Sequence, residues 1–151
     1  MRYLLTPLAA AALLSAQVVH LPELYFTSGR VLARGSNKTS EGHHKLRSYR
    51  IEEVRLAKST EAEIAGKKQA VSRAFRVIIT GEHFPVRATP PMVWVAGKLI
   101  GSGQESPKQD EIIAVTFDAA LIPEGAAIAF SFGEDEPRET LREKIQYTIR
   151  P

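Results

Sequence analysis

The sequence predicts an all-β protein, an antiparallel sandwich or barrel, on three observations. Short runs of residues alternate between apolar and polar, turn chemistry separates them, and helix signals are sparse. Phe75, Val77 and Ile79 share one face against Arg76 and Thr80. Val93 and Val95 flank Trp94 in a run that stops at Gly97. Ile113, Val115 and Phe117 alternate with Ala114 and Thr116; Ile128, Phe130 and Phe132 alternate with Ala129 and Ser131. Ile145, Tyr147 and Ile149 supply a last candidate strand, and the less regular run from Ile51 to Leu56 an opening one. Gly81, Pro90-Pro91, Gly101-Ser102-Gly103, Pro123-Glu124-Gly125 and Gly133-Glu134-Asp135 lie between them. Thr60 with Glu63 matches a capping box, but Gly66 follows within about two turns. The stretch through Lys67-Lys68-Gln69 therefore reads as a polar loop or one short helix.

The chain opens with Met1-Arg2, an apolar run from Tyr3 to Leu14, and Ser15-Ala16-Gln17. A positive start, about a dozen apolar residues and a small-residue end form the pattern of a secretory signal. A membrane-spanning helix needs about 20 apolar residues, and this run is over by His20. The expected organisation is a signal peptide over 1–16, an arm over 17–48 and a β-sandwich over 49–151. The expected destination is secreted, periplasmic or cell-surface. In the arm, Leu24-Tyr25-Phe26 and Val31-Leu32-Ala33 are short apolar patches suited to docking on a sheet edge or to strand addition with a partner. Residues 34–46 read equally well as disorder. Asn37-Lys38-Thr39 is a glycosylation acceptor if the host is eukaryotic.

At 151 residues, 44% hydrophobic and 25% charged, the chain suits one domain with a proper core. It has no cysteine, which removes disulfides, thiol catalysis and cysteine-ligated metals. The net charge of +3 is uneven: residues 17–80 carry 12 Lys or Arg against 6 Asp or Glu, and residues 81–151 carry 7 against 11. An asymmetry of this kind marks either a basic arm facing an acidic partner or an ordinary solvated surface. The tight basic clustering with interleaved aromatics of a nucleic-acid interface is missing, so no nucleic-acid partner is expected.

Four segments resemble the IPT/TIG domains, an immunoglobulin-like fold without a core disulfide. They are Ile78-Ile79-Thr80-Gly81-Glu82-His83-Phe84, an apolar strand running into Gly-x-x-Phe; Val93-Trp94-Val95-Ala96-Gly97; Ile112 to Phe117 with Leu121-Ile122-Pro123-Glu124-Gly125; and Ala127 to Phe132 with Lys144 to Ile149. The resemblance covers residues 49–150, departs at the charged Glu61–Arg73 stretch and has no counterpart for 21–48. It implies an immunoglobulin-like antiparallel β-sandwich that serves as an interaction module. Gly81 would let the chain turn, and Phe84 would fold back as a plug over the end of the core.

The chemistry left to a catalyst is thin. His43-His44 with Glu41 is the most tempting metal or acid–base site, but adjacent imidazoles share an ion only if the backbone bends. Gly66-Lys67-Lys68 lacks the rest of a phosphate loop, and no Gly-x-Ser-x-Gly is present. Glu134-Asp135-Glu136 reads as a solvated acidic turn. The expectation is a non-enzymatic protein with no cofactor and no metal, whose partner is another protein, with strand addition one way to hold it. A polysaccharide is the rival partner, with Trp94, Tyr49 and Tyr147 as binding residues; an accessory domain of an envelope enzyme complex is the third reading. Trp94 is assigned either to the core or to the surface, since Met92-Trp94-Ala96 and Val93-Val95 both qualify as inner faces.

Overall fold

The computed structural model describes residues 24–36, 44–86, 90–102, 104–105, 109–133 and 135–151. The signal segment, His20, Glu41, His43, Asn37-Lys38-Thr39, Gly103 and Glu134 lie outside them. The chain is mostly β, in two antiparallel sheets. Strands β1 (Phe26–Ser36), β2 (Lys45–Ile64), β3 (Lys67–Glu82), β6 (Gln104–Glu105) and β7 (Glu111–Thr116) form a five-stranded sheet in the order β1-β2-β3-β7-β6. Strands β4 (Met92–Val95), β5 (Lys98–Ser102), β8 (Ile128–Ser131) and β9 (Glu139–Thr140) form a four-stranded sheet in the order β5-β4-β8-β9. Among the described residues the one helical turn is a 3-10 turn, Ala119–Leu121, capped by the Asp118 carboxylate accepting from the Ala120 N–H.

Period-2 patterning explains the core. Ile51, Val77, Ile79, Ile112 and Ala114 of the larger sheet and Val93, Val95, Ile100, Ile128 and Phe130 of the smaller one belong to a single buried cluster. Each large apolar side chain so enclosed contributes roughly 1.5–3 kcal/mol. Phe84 plugs this cluster as expected, its ring lying against Gly81, where a Cβ would come within 2.4 Å of Phe84 Cζ and 2.5 Å of the Lys45 carbonyl oxygen.

In β7 the faces are reversed from the sequence expectation. Ala114 pairs with Val77 and Ile112 with Ile79, and residues directly opposite in an antiparallel ladder share a face. Ile112 and Ala114 therefore point into the core. Val115 and Phe117 instead join Val54, Leu56 and Ala74 in a second cluster, with Leu24, Phe26 and Val71 packed against it.

Two further expectations are corrected. The Glu61–Arg73 stretch is neither loop nor helix: Thr60–Ile64 pairs with Lys67–Val71 as the far end of the β2–β3 hairpin. The turn at Ala65-Gly66 has positive φ at both residues, 53° and 79°, which suits the right-handed twist of a two-residue hairpin loop. Ala96-Gly97 joins β4 to β5 in the same way, with φ of 52° and 78°. The expected strand over Ile145–Ile149 is reduced to one bridge, Tyr147 to Ala33. There the Leu32 carbonyl accepts from both Thr148 and Ile149 N–H groups, so the ladder cannot advance. Ile145 is buried, and Ile149 is 43% exposed. Residues 26–36, for which the arm over 17–48 allowed either disorder or an edge strand, are the edge strand of the larger sheet, and Leu32 and Ala33 are fully buried.

Candidate functional site

The two halves of β1 present different surfaces. On the side away from β2, the chain's C-terminal segment covers the second half. Thr148 and Ile149 donate to the Leu32 carbonyl, the Thr148 hydroxyl donates to it at 3.1 Å, and the Ser36 N–H donates to the Glu143 carboxylate at 3.1 Å. Over Phe26–Val31 no described backbone pairs on that side; the contact there is the Arg30 guanidinium donating to the Arg150 carbonyl at 3.4 Å. A groove of about 570 Å³ runs beside this half, lined by Leu24, Phe26, Gly29, Val31, Val54 and Arg76 among others. Gly29 keeps it open: a Cβ there would lie 2.9 Å from Val54 Cγ1. Tyr25 stands at its mouth, 76% exposed.

Arginines frame the groove and their carboxylate partners are already engaged. The Glu52 carboxylate accepts from Arg50 at 2.9 Å and from Arg76, and Arg50 also donates to Glu111 at 3.3 Å. Burial alone would raise the Glu52 carboxyl, but hydrogen bonds and charge from Arg50 and Arg76 hold it below its ordinary value. The Arg76 guanidinium also lies 4.9 Å from the Phe26 ring centroid, a cation–π contact that fixes the groove's wall. Glu53 accepts from Arg30 at 3.2 Å and from Arg73 at 2.9 Å.

The residues singled out from sequence are not brought together. Tyr49 is buried; its hydroxyl donates to the Lys144 carbonyl at 3.0 Å and accepts from the Gln146 N–H at 3.4 Å. Burial and the nearby Glu143 charge raise its pKa against that hydrogen bond. The Tyr147 hydroxyl donates to the Ile122 carbonyl at 2.5 Å, and burial, then Glu124 and Tyr49, push its pKa up to about 12. Both hydroxyls fasten the C-terminal segment to the body; Tyr49 is buried and Tyr147 half-buried. Trp94 lies on the face of β4 opposite Val93 and Val95, only 8% exposed, with the Arg138 guanidinium 3.9 Å above its ring. It is thus outside the shared core yet covered.

His44 and Glu139 form a pair that sequence spacing could not reveal, because 95 residues separate them. Glu139 is buried, and its carboxylate meets the His44 ring nitrogen Nδ1 and accepts from the His44 N–H at 3.1 Å. The imidazole sits among Phe132, Phe130 and Phe84, with centroids 4.8, 6.0 and 6.2 Å away. A carboxylate-held histidine is half of an acid–base pair, but catalysis needs a reacting group within reach of the other nitrogen. The nearby Ser131 hydroxyl donates to the Gly133 carbonyl at 3.2 Å. Among the described residues no three His, Asp or Glu side chains converge as metal ligands.

The chain matches no family model, no curated protein and no solved structure. Its function is therefore argued from its own surfaces, of which the open half of β1 combines an unpaired strand edge, a groove and fixed charge. Sequence inspection named the patch Leu24-Tyr25-Phe26 but not the part played by Arg76 or Val54, which reach the groove from other strands.

Proposed function

We propose that this is an exported, non-catalytic interaction module, an immunoglobulin-like β-sandwich of the IPT/TIG kind, that binds a protein partner along the open half of β1. The observation that carries the reading is the edge at Phe26–Val31, with no backbone partner among the described residues, beside a groove of about 570 Å³. An extended segment laid there would gain main-chain hydrogen bonds from the edge and side-chain pockets from the groove. Support for the sandwich comes from the single buried cluster shared by both sheets, and the close packing of the Phe84 ring on Gly81 is consistent with the resemblance. The secretory pattern of residues 1–16 supports export. A subunit of an envelope enzyme complex is one partner of the kind expected.

A photocrosslinking amino acid placed at Thr27 in the producing cell tests this. The expected result is one reproducible protein adduct at Thr27 and none at Lys98, on an edge of the other sheet. Adducts at both positions, or at neither, would overturn the reading. Mass spectrometry of the mature N-terminus tests export separately. The polysaccharide reading requires Arg138 to leave Trp94; glycan-array binding lost on Trp94→Ala would put it in place of the protein partner.

A further inference from the structure

The same edge carries information about the partner's chemistry, and the inference below rests on the proposed role of β1. Phe26–Ser36 contains two arginines, Arg30 and Arg34, and no acidic residue. Arg55 faces Ser28 from β2 and is exposed, as is Arg34. The nearest carboxylates are spoken for: Glu53 binds Arg30 and Arg73, and Glu52 binds Arg50 and Arg76. Both have side chains under one-fifth exposed, at 17% and 16%, whereas those of Arg30 and Arg73 are 50% and 57% exposed. Among the described residues, a strand arriving at Phe26–Val31 meets the exposed Arg30 and Arg55 side chains, with the one carboxylate beside Arg30, Glu53, already shared with Arg73.

A second copy of this chain fits that edge poorly. Antiparallel self-pairing along the open half of β1 brings two Arg30 side chains into one strand pair, with no acidic residue on either strand to offset them, and like charges across a strand pair are destabilising. Charge on an edge is a common guard against self-association. The same charge admits a partner of opposite sign, so a single feature both excludes the copy and selects the ligand.

We propose that the open half of β1 takes an extended acidic segment of another protein, with alternate apolar side chains entering the groove over Gly29 and Val54. The acidic side chains lie beside Arg30 and Arg55, which share one face of the sheet, and the apolar ones rest on Val54 between Phe26 and Val31 on the other.

Fluorescence anisotropy with the purified full chain tests this, using labelled peptides of alternating glutamate and valine, of alternating lysine and valine, and the acidic peptide N-methylated at every second amide. The acidic peptide should bind at least about tenfold more tightly than the basic one and weaken as salt rises. N-methylation should abolish binding, since it removes the peptide N–H groups that would donate to the edge carbonyls and sets methyl groups against the edge. Ser28→Glu, at an exposed position, should weaken the acidic peptide by about tenfold, and Lys98→Ala should not change it. Equal affinity for acidic and basic peptides overturns the acidic preference, and undiminished binding of the N-methylated peptide overturns the strand mode. A concentration-dependent dimer crosslinked through position 27 also overturns it. Adducts at Thr27 in cells with no acidic-peptide binding would sink this inference while leaving the edge as the docking site; loss of the adducts would sink the broader reading.

Discussion

From Leu32 onward β1 is sealed, and before Leu32 it is open, although both halves pair with the same neighbour β2. The sealed half buries Leu32 and Ala33 completely and is strapped by a segment that Tyr49 and Tyr147 hold through their hydroxyls. The open half keeps Thr27, Ser28, Gly29 and Arg30 exposed. Within one strand, then, one stretch serves stability and the other is free to serve recognition, and mutations should separate the two.

The largest effect belongs to the sealed half. Leu32→Ala, which empties a fully buried site, should cost about 3 kcal/mol in chemical denaturation. Gly35→Ala comes next at about 2 kcal/mol, because its Cβ would lie 2.0 Å from Tyr49 Cε1, and the ring is held on both sides of its hydroxyl. Its counterpart in the open half, Gly29→Ala, meets only the end of the Val54 side chain and the Glu53 carbonyl, and should cost about 1 kcal/mol or less. Equal costs at the two glycines would mean that the halves are packed alike.

Tyr147 sharpens the comparison through pH. Its pKa is raised to about 12 in the folded chain and is about 10 when unfolded, so the folded state favours the neutral phenol. The native chain holds this proton where the unfolded chain has lost it. Stability from this source is therefore complete below about pH 10 and is lost as the pH rises towards 12. Allowing for the partial exposure of the ring, the loss should be about 1 kcal/mol. Tyr147→Phe should flatten the alkaline slope and, by leaving the Ile122 carbonyl without its donor, lower stability at neutral pH by about 1 kcal/mol. An unchanged alkaline slope in the variant would place the titrating group elsewhere.

Much of the two-sheet core was legible because Phe75, Val77 and Ile79 of β3 and Ile128, Phe130 and Phe132 around β8 recur at every second position. The face assignment failed in β7 because both of its faces are apolar: Ile112 and Ala114 serve the core, Val115 and Phe117 the second cluster. Alternation shows that a strand is buried, and only the pairing partner decides which side. The hairpin end at Thr60–Val71 was hidden for the opposite reason. Its apolar period is confined to Ala62 and Ile64 between Glu61 and Glu63, and Lys67-Lys68-Gln69 on the return strand carries none, so the clearer clue is the two-residue Ala-Gly turn. Aromatic type was visible in the sequence and exposure was not: the hydroxyls of Tyr49 and Tyr147 hold the C-terminal segment, through the Lys144 and Ile122 carbonyls. The groove and the His44–Glu139 pair are assembled from distant strands and have no local signature.

The smallest expected effect is the most discriminating. Thr27 is exposed, and its hydroxyl makes a single long hydrogen bond, 3.5 Å to the Arg55 carbonyl. Thr27→Ala should shift stability by no more than about 0.5 kcal/mol, the usual range for an exposed site away from caps and buried networks. If the variant instead loses more than about 1 kcal/mol, some other part of the chain lies over the first half of β1 and the edge is not open. A silent result in denaturation, set beside the heavy cost of Leu32→Ala five residues on, would establish that the boundary falls where the C-terminal segment leaves the strand, at the Leu32 carbonyl.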